Sequence, residues 1–270
     1  MAPVPDDDAA RTGAPDGSLH LPLSPVGADR VRWFGVVATL LAAVALLVAQ
    51  DTGYAATLGV TLALALAMAW GWPLLSGSHT PRATTLVLAV GSVAIVLSAL
   101  RQDLLWVPAA VAFGILLAFF GQLVRRTGRE GLVLTLLSSF GGLAVIASGT
   151  TAVVAANSDR GQAVAVVAMA AVAAAVVVDL LPGVRVLVPF LGLVALVVSV
   201  LAAVVAATRF ADVNALEALG IGAAVGTVSW SFRRVLSLQP AMLTRRGQVG
   251  AGVGSVLAVG AVVNLFSVLT

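Results

Sequence analysis

Two carboxylates, Asp179 and Glu217, lie inside long apolar stretches of this 270-residue chain, and these side chains could hold a cation or carry a proton. A charge in such a stretch must find water, a partner or a proton, because an unpaired ion in hydrocarbon costs roughly 3 kcal/mol. Asp179 stands near the end of its stretch, with Arg185 six residues on across Leu181-Pro182-Gly183-Val184. It reads either as an interfacial carboxylate, paired locally or hydrated, or as a proton or cation site. Glu217 stands about one turn into its own stretch, where a helix N-terminus favours a carboxylate with no functional demand. Asn264 and Gln122 are amides in apolar surroundings, and such groups mostly bridge helices for about 0.6 kcal/mol each. The third candidate is basic. Arg125, Arg126, Arg129, Arg233, Arg234, Arg245 and Arg246 could meet as one patch for anionic lipid headgroups or phosphate, or could serve only to set topology.

Much other chemistry is excluded by residue type. The chain has no cysteine and no lysine, and its two histidines, His20 and His79, lie outside the apolar stretches. Thiolate sites, disulfides and a phosphate-loop lysine are therefore out. No HExxH or GxSxG motif occurs, and no aspartate array of the kind a CDP-alcohol phosphotransferase needs. The expectation is a non-enzyme with no catalytic residues, no metal and no cofactor. A calculated pI of about 10.9 would suggest nucleic acid in a soluble protein, but the net charge is only +3 and the arginines sit at the ends of apolar stretches. No nucleic-acid partner is expected.

The elements that must position these residues follow from composition. With 60% hydrophobic and 10% charged residues and a mean hydropathy of +1.07, the chain has more apolar surface than a soluble domain could bury. Lipid must solvate it, and lipid demands that backbone groups be satisfied within each segment. The fold class is therefore all-α, a polytopic transmembrane helix bundle. Nine apolar stretches are close to the roughly 20 residues that cross a bilayer. They run from Val31 to Ala49, Ala55 to Leu75, Ala83 to Leu100, Leu104 to Val124, Gly131 to Ala156, Gly161 to Leu181, Val186 to Thr208, Val213 to Ser231 and Val249 to Leu269. The first is among the shortest and the sixth is rich in alanine and valine, so eight spans is the competing count. Residues 1–30 hold five prolines and the run Asp6-Asp7-Asp8, a composition that predicts a disordered cytoplasmic tail rather than a secretory signal. Residues 31–270 form the transmembrane domain.

Orientation is read from the arginines. Twelve of fifteen fall in the tail and in every second gap, and the intervening gaps hold only Arg101, Arg160 and Arg209, each near an acid. The positive-inside rule then puts the N-terminus in the cytoplasm and, after nine crossings, the C-terminus outside the cell membrane. Trp33, Trp70, Trp72 and Trp230 fall at the predicted inner ends, and Tyr54 and Trp106 at the outer ends, as interfacial anchors.

A possible duplication adds to this. The segment from Leu86 matches the segment from Leu187 at eight of fifteen positions, including Gly91 with Gly192 and Ser98 with Ser199. Arg101 precedes Arg125-Arg126 by the same interval as Arg209 precedes Arg233-Arg234. One reading is a leading helix plus two parallel four-helix repeats, 55–156 and 161–269; the other is low complexity imitating homology. Gly222-xxx-Gly226 and Gly250-xxx-Gly254 are small-residue faces through which the eighth and ninth helices would pack on each other or on a second copy, giving a homo- or hetero-oligomer.

Trp70-Gly71-Trp72-Pro73, the run from Phe119 to Arg129 and the acidic, proline-rich tail resemble uncharacterised multi-pass integral membrane proteins of high-GC bacteria, often labelled permease. The resemblance implies transport. Three functions are weighed. A permease or transporter predicts a midplane cavity reaching Asp179 or hydroxyls such as Ser138 and Ser139. A non-catalytic partner or scaffold subunit of a membrane complex predicts a filled bundle with a glycine-lined outer face. A lipid-headgroup enzyme predicts a polar cleft beneath the arginines.

Overall fold

The computed structural model describes residues 32–124, 131–181 and 190–269, and the chain within them is an all-helical bundle. The elements are α1 (Trp33–Thr52), α2 (Tyr54–Leu75), α3 (Pro81–Ser98, continued by the 3-10 turn Ala99–Arg101), α4 (Val107–Leu123), α5 (Leu132–Ala155) and α6 (Asp159–Val177, continued by the 3-10 turn Val178–Leu180). They continue with α7 (Leu191–Phe210), α8 (Ala215–Leu236), the 3-10 turn Pro240–Leu243, α9 (Arg245–Leu257) and α10 (Gly260–Leu269). The last two form a single span, Arg245–Leu269. Among the described residues this gives nine apolar helices, eight of them long and apolar enough to cross a membrane. The short one is α4, with 17 residues, rather than the first or sixth. Its start is delayed by Pro108, which suits a first helical turn, after Gln102 has turned the chain in a left-handed conformation. The expected tail, residues 1–30, lies outside the described residues.

Local chemistry sets the other ends. Gly53 alone joins α1 to α2 at φ +122°, a conformation that favours glycine. Side chains cap α6, α8 and α9: Ser158 Oγ accepts from Gly161 N, Asn214 Oδ1 from Leu216 N, and Thr244 Oγ1 from Gly247 N. The spans alternate in direction, and tertiary hydrogen bonds tie them together at both ends. At one end Arg32 Nη2 donates to Ser237 O, and Arg246 Nε to Trp70 O. At the other, Tyr54 Oη donates to Ala99 O, and Asn157 Nδ2 to Gln102 Oε1. The first is the arginine-rich end; the second carries Asp51, Asp103, Asp159, Asp212 and Glu217 and is the carboxylate-rich end.

Packing is organised around α9. Nearly every residue from Gly247 to Leu257 is buried, because α9 is wedged against α1, α2, α5 and α8. It fits because its small residues meet others: a Cβ on Gly71 would lie 2.7 Å from Gly250 Cα and 2.6 Å from Arg246 O. Apart from α1 and α10, the remaining helices form two groups. In one, α2, α3, α4 and α5 pack together; in the other, α6, α7 and α8 do. The diagonal contact that closes the first group joins α3 to α5, and that of the second joins α6 to α8. The matched glycines meet different neighbours as well, Leu143 of α5 at Gly91 and Trp230 of α8 at Gly192.

Three packing expectations are corrected. Gly222 and Gly226 face Ala203, Val200 and Ser199 of α7 and Gly250 faces α2, while Gly254 meets Phe232 of α8, so α8 and α9 do pack on each other but not glycine face to glycine face. Trp72 is no interfacial anchor: it is buried, donates Nε1 to Ser138 O at 2.7 Å and stacks on Phe232 at 5.8 Å. A buried indole N–H must find an acceptor, and the Ser138 carbonyl supplies one. The span expected from Val249 is not continuous, since residues 258 and 259 interrupt it.

Candidate functional site

The charged residues come together on α6 and α8, two helices that run parallel. At the arginine-rich end Arg233 Nε donates to Asp179 Oδ2 at 2.6 Å, and its Nη1 donates to Ser229 Oγ at 2.6 Å and Ser255 Oγ at 3.2 Å. Three helices, α6, α8 and α9, thus meet at one guanidinium. Arg233 is 5% exposed, and its Nη2 is buried without a hydrogen-bond partner. At the carboxylate-rich end Arg160 pairs with Glu217 and donates Nη1 to the Asp212 carbonyl at 3.2 Å. Both ion pairs therefore clamp α6 to α8, with opposite polarity at the two ends.

The interruption of the central span builds a second feature. Ser148 of α5 inserts into the gap: its Oγ donates to Ala258 O and accepts from Ala261 N, both at 2.9 Å. In an unbroken helix the Ala261 N–H would bond to the Leu257 carbonyl. A serine from a neighbouring helix has replaced one rung of the ladder, a recognised cause of helix breaks. Gly260 permits the approach, since a Cβ there would stand 2.0 Å from Ser148 O.

Beside the break lies a small cavity of about 20 Å³, room for roughly one water. Its walls include Val256, Leu257 and Gly260 of the broken span, Ala165 and Met169 of α6, and Gln50, Thr57 and Thr61. Thr57 Oγ1 is satisfied by Gly53 O. Thr61 Oγ1 is not: the residue is 1% exposed, and the hydroxyl has no hydrogen-bond partner. A buried hydroxyl left unpaired costs roughly 1 to 3 kcal/mol, so something polar is wanted there.

A much larger groove of about 830 Å³ opens between α1 and α7, with α6 as its floor. Alanines keep the floor low: Ala163, Ala170 and Ala173 line it. Asp51, Asp159, Asp212, Gln50 and Gln162 stand at its carboxylate-rich end.

Asn264 is half-buried on α10; its carbonyl accepts from Ser267 Oγ, and its amide makes no interhelical bond among the described residues. Gln122 Oε1 is buried without a hydrogen-bond partner among the described residues. Ser138 and Ser139 are buried and bonded within the bundle, Ser138 Oγ to Ser76 Oγ and Ser139 Oγ to Thr135 O. Arg125, Arg126, Arg129 and Arg185 lie outside the described residues. Arg233 does not join a surface patch, because Asp179, Ser229 and Ser255 draw it inward. Arg245 and Arg246 do remain at the rim, stacked over Phe34 at 4.8 Å and Trp70 at 5.0 Å. Arg234 is half-buried beside Arg233 in the last turn of α8. A cleft of about 460 Å³ at this end is lined by Ser76, Ser78, Gln239 and Thr244 among others, with no ionisable side chain.

Sequence reading missed the Arg160 to Glu217 pair, the Ser148 insertion and Thr61. Arg160 had an adjacent decoy in Asp159. No group of three or more His, Asp or Glu side chains that could hold a metal ion occurs among the described residues. No protein-family model matches this chain, and neither a curated protein nor a solved structure is similar to it.

Proposed function

We propose that this multi-pass membrane protein is a permease-type transporter, in which α6, α7 and α8 move as one unit against the remaining helices. One observation carries the reading: the central span is interrupted at its middle, beside a cavity that holds the unpartnered Thr61 hydroxyl. Interrupted helices at mid-membrane are where transporters bind substrate and coupling ions, since irregular backbone is tolerated there only when it is buried or lines a cavity. The two ion pairs support the moving unit, because they fix α6 to α8 at both ends. Asp179 and Glu217 are then structural clamps and not the coupling site.

The arginine alternation supports a cytoplasmic arginine-rich end in a plasma membrane. Arg234, Arg245 and Arg246, with the arginines between α4 and α5, are proposed to lie against anionic headgroups there. The reading is non-enzymatic.

A scaffold subunit is the second reading, favoured by the small size of the cavity and the filled packing of α9. The two separate cleanly because the chain has no cysteine of its own. In proteoliposomes the single thiol of Thr61→Cys should react with a membrane-impermeant thiol reagent within minutes, as the cavity opens to one side. A thiol that stays unreactive for hours, yet labels fully in denatured protein, would overturn transport in favour of the scaffold.

A further inference from the structure

The groove and the inner cavity are not separate features. Gln50 and Met169 stand on the walls of both, so a single layer of side chains divides the lipid-facing groove from the break in the central span. Met169 is unbranched and adaptable, a side chain that can yield to a guest.

We infer that the groove is the lateral entry site for a cationic amphiphile, whose chain lies on the alanine floor of α6 and whose head sits among Asp51, Asp159 and Asp212. Size, shape and charge argue together. A volume of about 830 Å³ is that of a small-molecule pocket, which typically spans about 300 to 1,000 Å³. The groove faces lipid, and lipid tails are as apolar as its walls, so the chain alone gives little selectivity. Selectivity must come from the mouth. There the three carboxylates make no hydrogen bond or ion pair through their side chains among the described residues. The neighbouring Arg160 is neutralised by Glu217, and Arg209, three residues before Asp212, offsets one charge of three. A net negative mouth above an apolar slot suits a molecule with an ammonium head and a hydrocarbon body. The unpartnered Thr61 hydroxyl, across Gln50 and Met169, offers the next polar contact inward.

Naming this class as the transported substrate rests on the transport reading; the binding itself does not. The test is photo-crosslinking in nanodiscs with an alkyltrimethylammonium probe that carries a diazirine on its chain, mapped by mass spectrometry. Saturable adducts on α1, α6 and α7 are expected, competed at least tenfold better by the unlabelled cation than by an alkyl sulfate or a neutral alkyl glycoside of equal chain length. Ala170→Trp, which fills the floor, should abolish them. The triple variant Asp51→Asn, Asp159→Asn, Asp212→Asn should weaken half-saturation at least tenfold while circular dichroism and thermal unfolding stay as in the parent. Unsaturable labelling, indifference to head charge, or labelling untouched by Ala170→Trp each overturns the site. Saturable, charge-selective crosslinking together with an unreactive Thr61→Cys thiol keeps the groove as a binding site and overturns transport alone.

Discussion

The two ends of the α6 and α8 pair use the same chemistry in opposite senses. At the arginine-rich end the arginine side chain is 6% exposed and its aspartate 29%; at the carboxylate-rich end the glutamate is 8% exposed and its arginine 31%. In both cases the buried charge belongs to α8 and the exposed one to α6. Helix dipoles give the reason. Glu217 sits in the first turn of α8 and Arg233 in its last, where each charge opposes the helix's own partial charge. On α6 the order is reversed, with Arg160 at the start and Asp179 beyond the end, so both charges are disfavoured by their own helix. The charges a helix already stabilises are the ones that can be buried, and the others keep contact with water. The ends differ in support as well. Arg233 reaches two hydroxyls on two helices, both buried, whereas the bond from Arg160 to the Asp212 main-chain carbonyl is exposed.

The largest effect should come from stranding the buried cation. Asp179→Asn removes the counter-charge of Arg233, which cannot lose its proton and has only two serines left. Removing one member of a buried pair typically costs 3 to 5 kcal/mol, and about 3 kcal/mol is expected here because Asp179 is partly exposed. Arg233→Met should cost about 1 kcal/mol or less, because the aspartate can hydrate and a methionine fills the space. Thermal and denaturant unfolding in micelles would read both. Equal losses in the two variants would mean that burial does not distinguish the partners.

How far this arrangement could be read from residues alone depends on whether the signal was local. Helix positions follow from runs of apolar residues long enough for the bilayer, and these were legible. Arg233 was also legible in principle. Gly222, Gly226, Ser229 and Arg233 fall at intervals of four, three and four, which is one face of a helix, while the adjacent Arg234 falls off it. Grouping the two arginines as neighbours in sequence hid that difference. Ser148 could not have been found this way. It meets Ala258 from 110 residues away, and no proline near residues 258 and 259 announces the break. Nor could the partner of Arg160, since Asp159 beside it is the nearer acid while helix geometry points adjacent side chains apart.

At the carboxylate-rich end the effect of removing the exposed partner should be smaller. Arg160→Met leaves Glu217 without its counter-charge, but the first turn of α8 supplies unpaired N–H groups and a favourable helix end beside it. A loss of about 1 to 2 kcal/mol is expected from the same unfolding measurements. If Arg160→Met proves as damaging as Asp179→Asn, the hydroxyl network around Arg233 is not what separates the two ends.

The smallest effect should follow from neutralising the buried acid. Glu217→Gln keeps the shape and a hydrogen-bond acceptor for Arg160, while the stranded arginine, 31% exposed, can turn to water. Exposed arginines lose little when unpaired, so a change below about 1 kcal/mol is expected. The variant also tests the dipole argument, because an amide at the first turn of α8 forfeits the favourable charge as well as the ion pair. Those two contributions respond differently to the partner. In Arg160→Met the ion pair is already gone, so adding Glu217→Gln should relieve the buried carboxylate and recover stability relative to Arg160→Met alone. If the double variant is instead less stable than Arg160→Met, Glu217 is held by the helix end more than by Arg160, and the α8 dipole is the stronger of the two terms that place it.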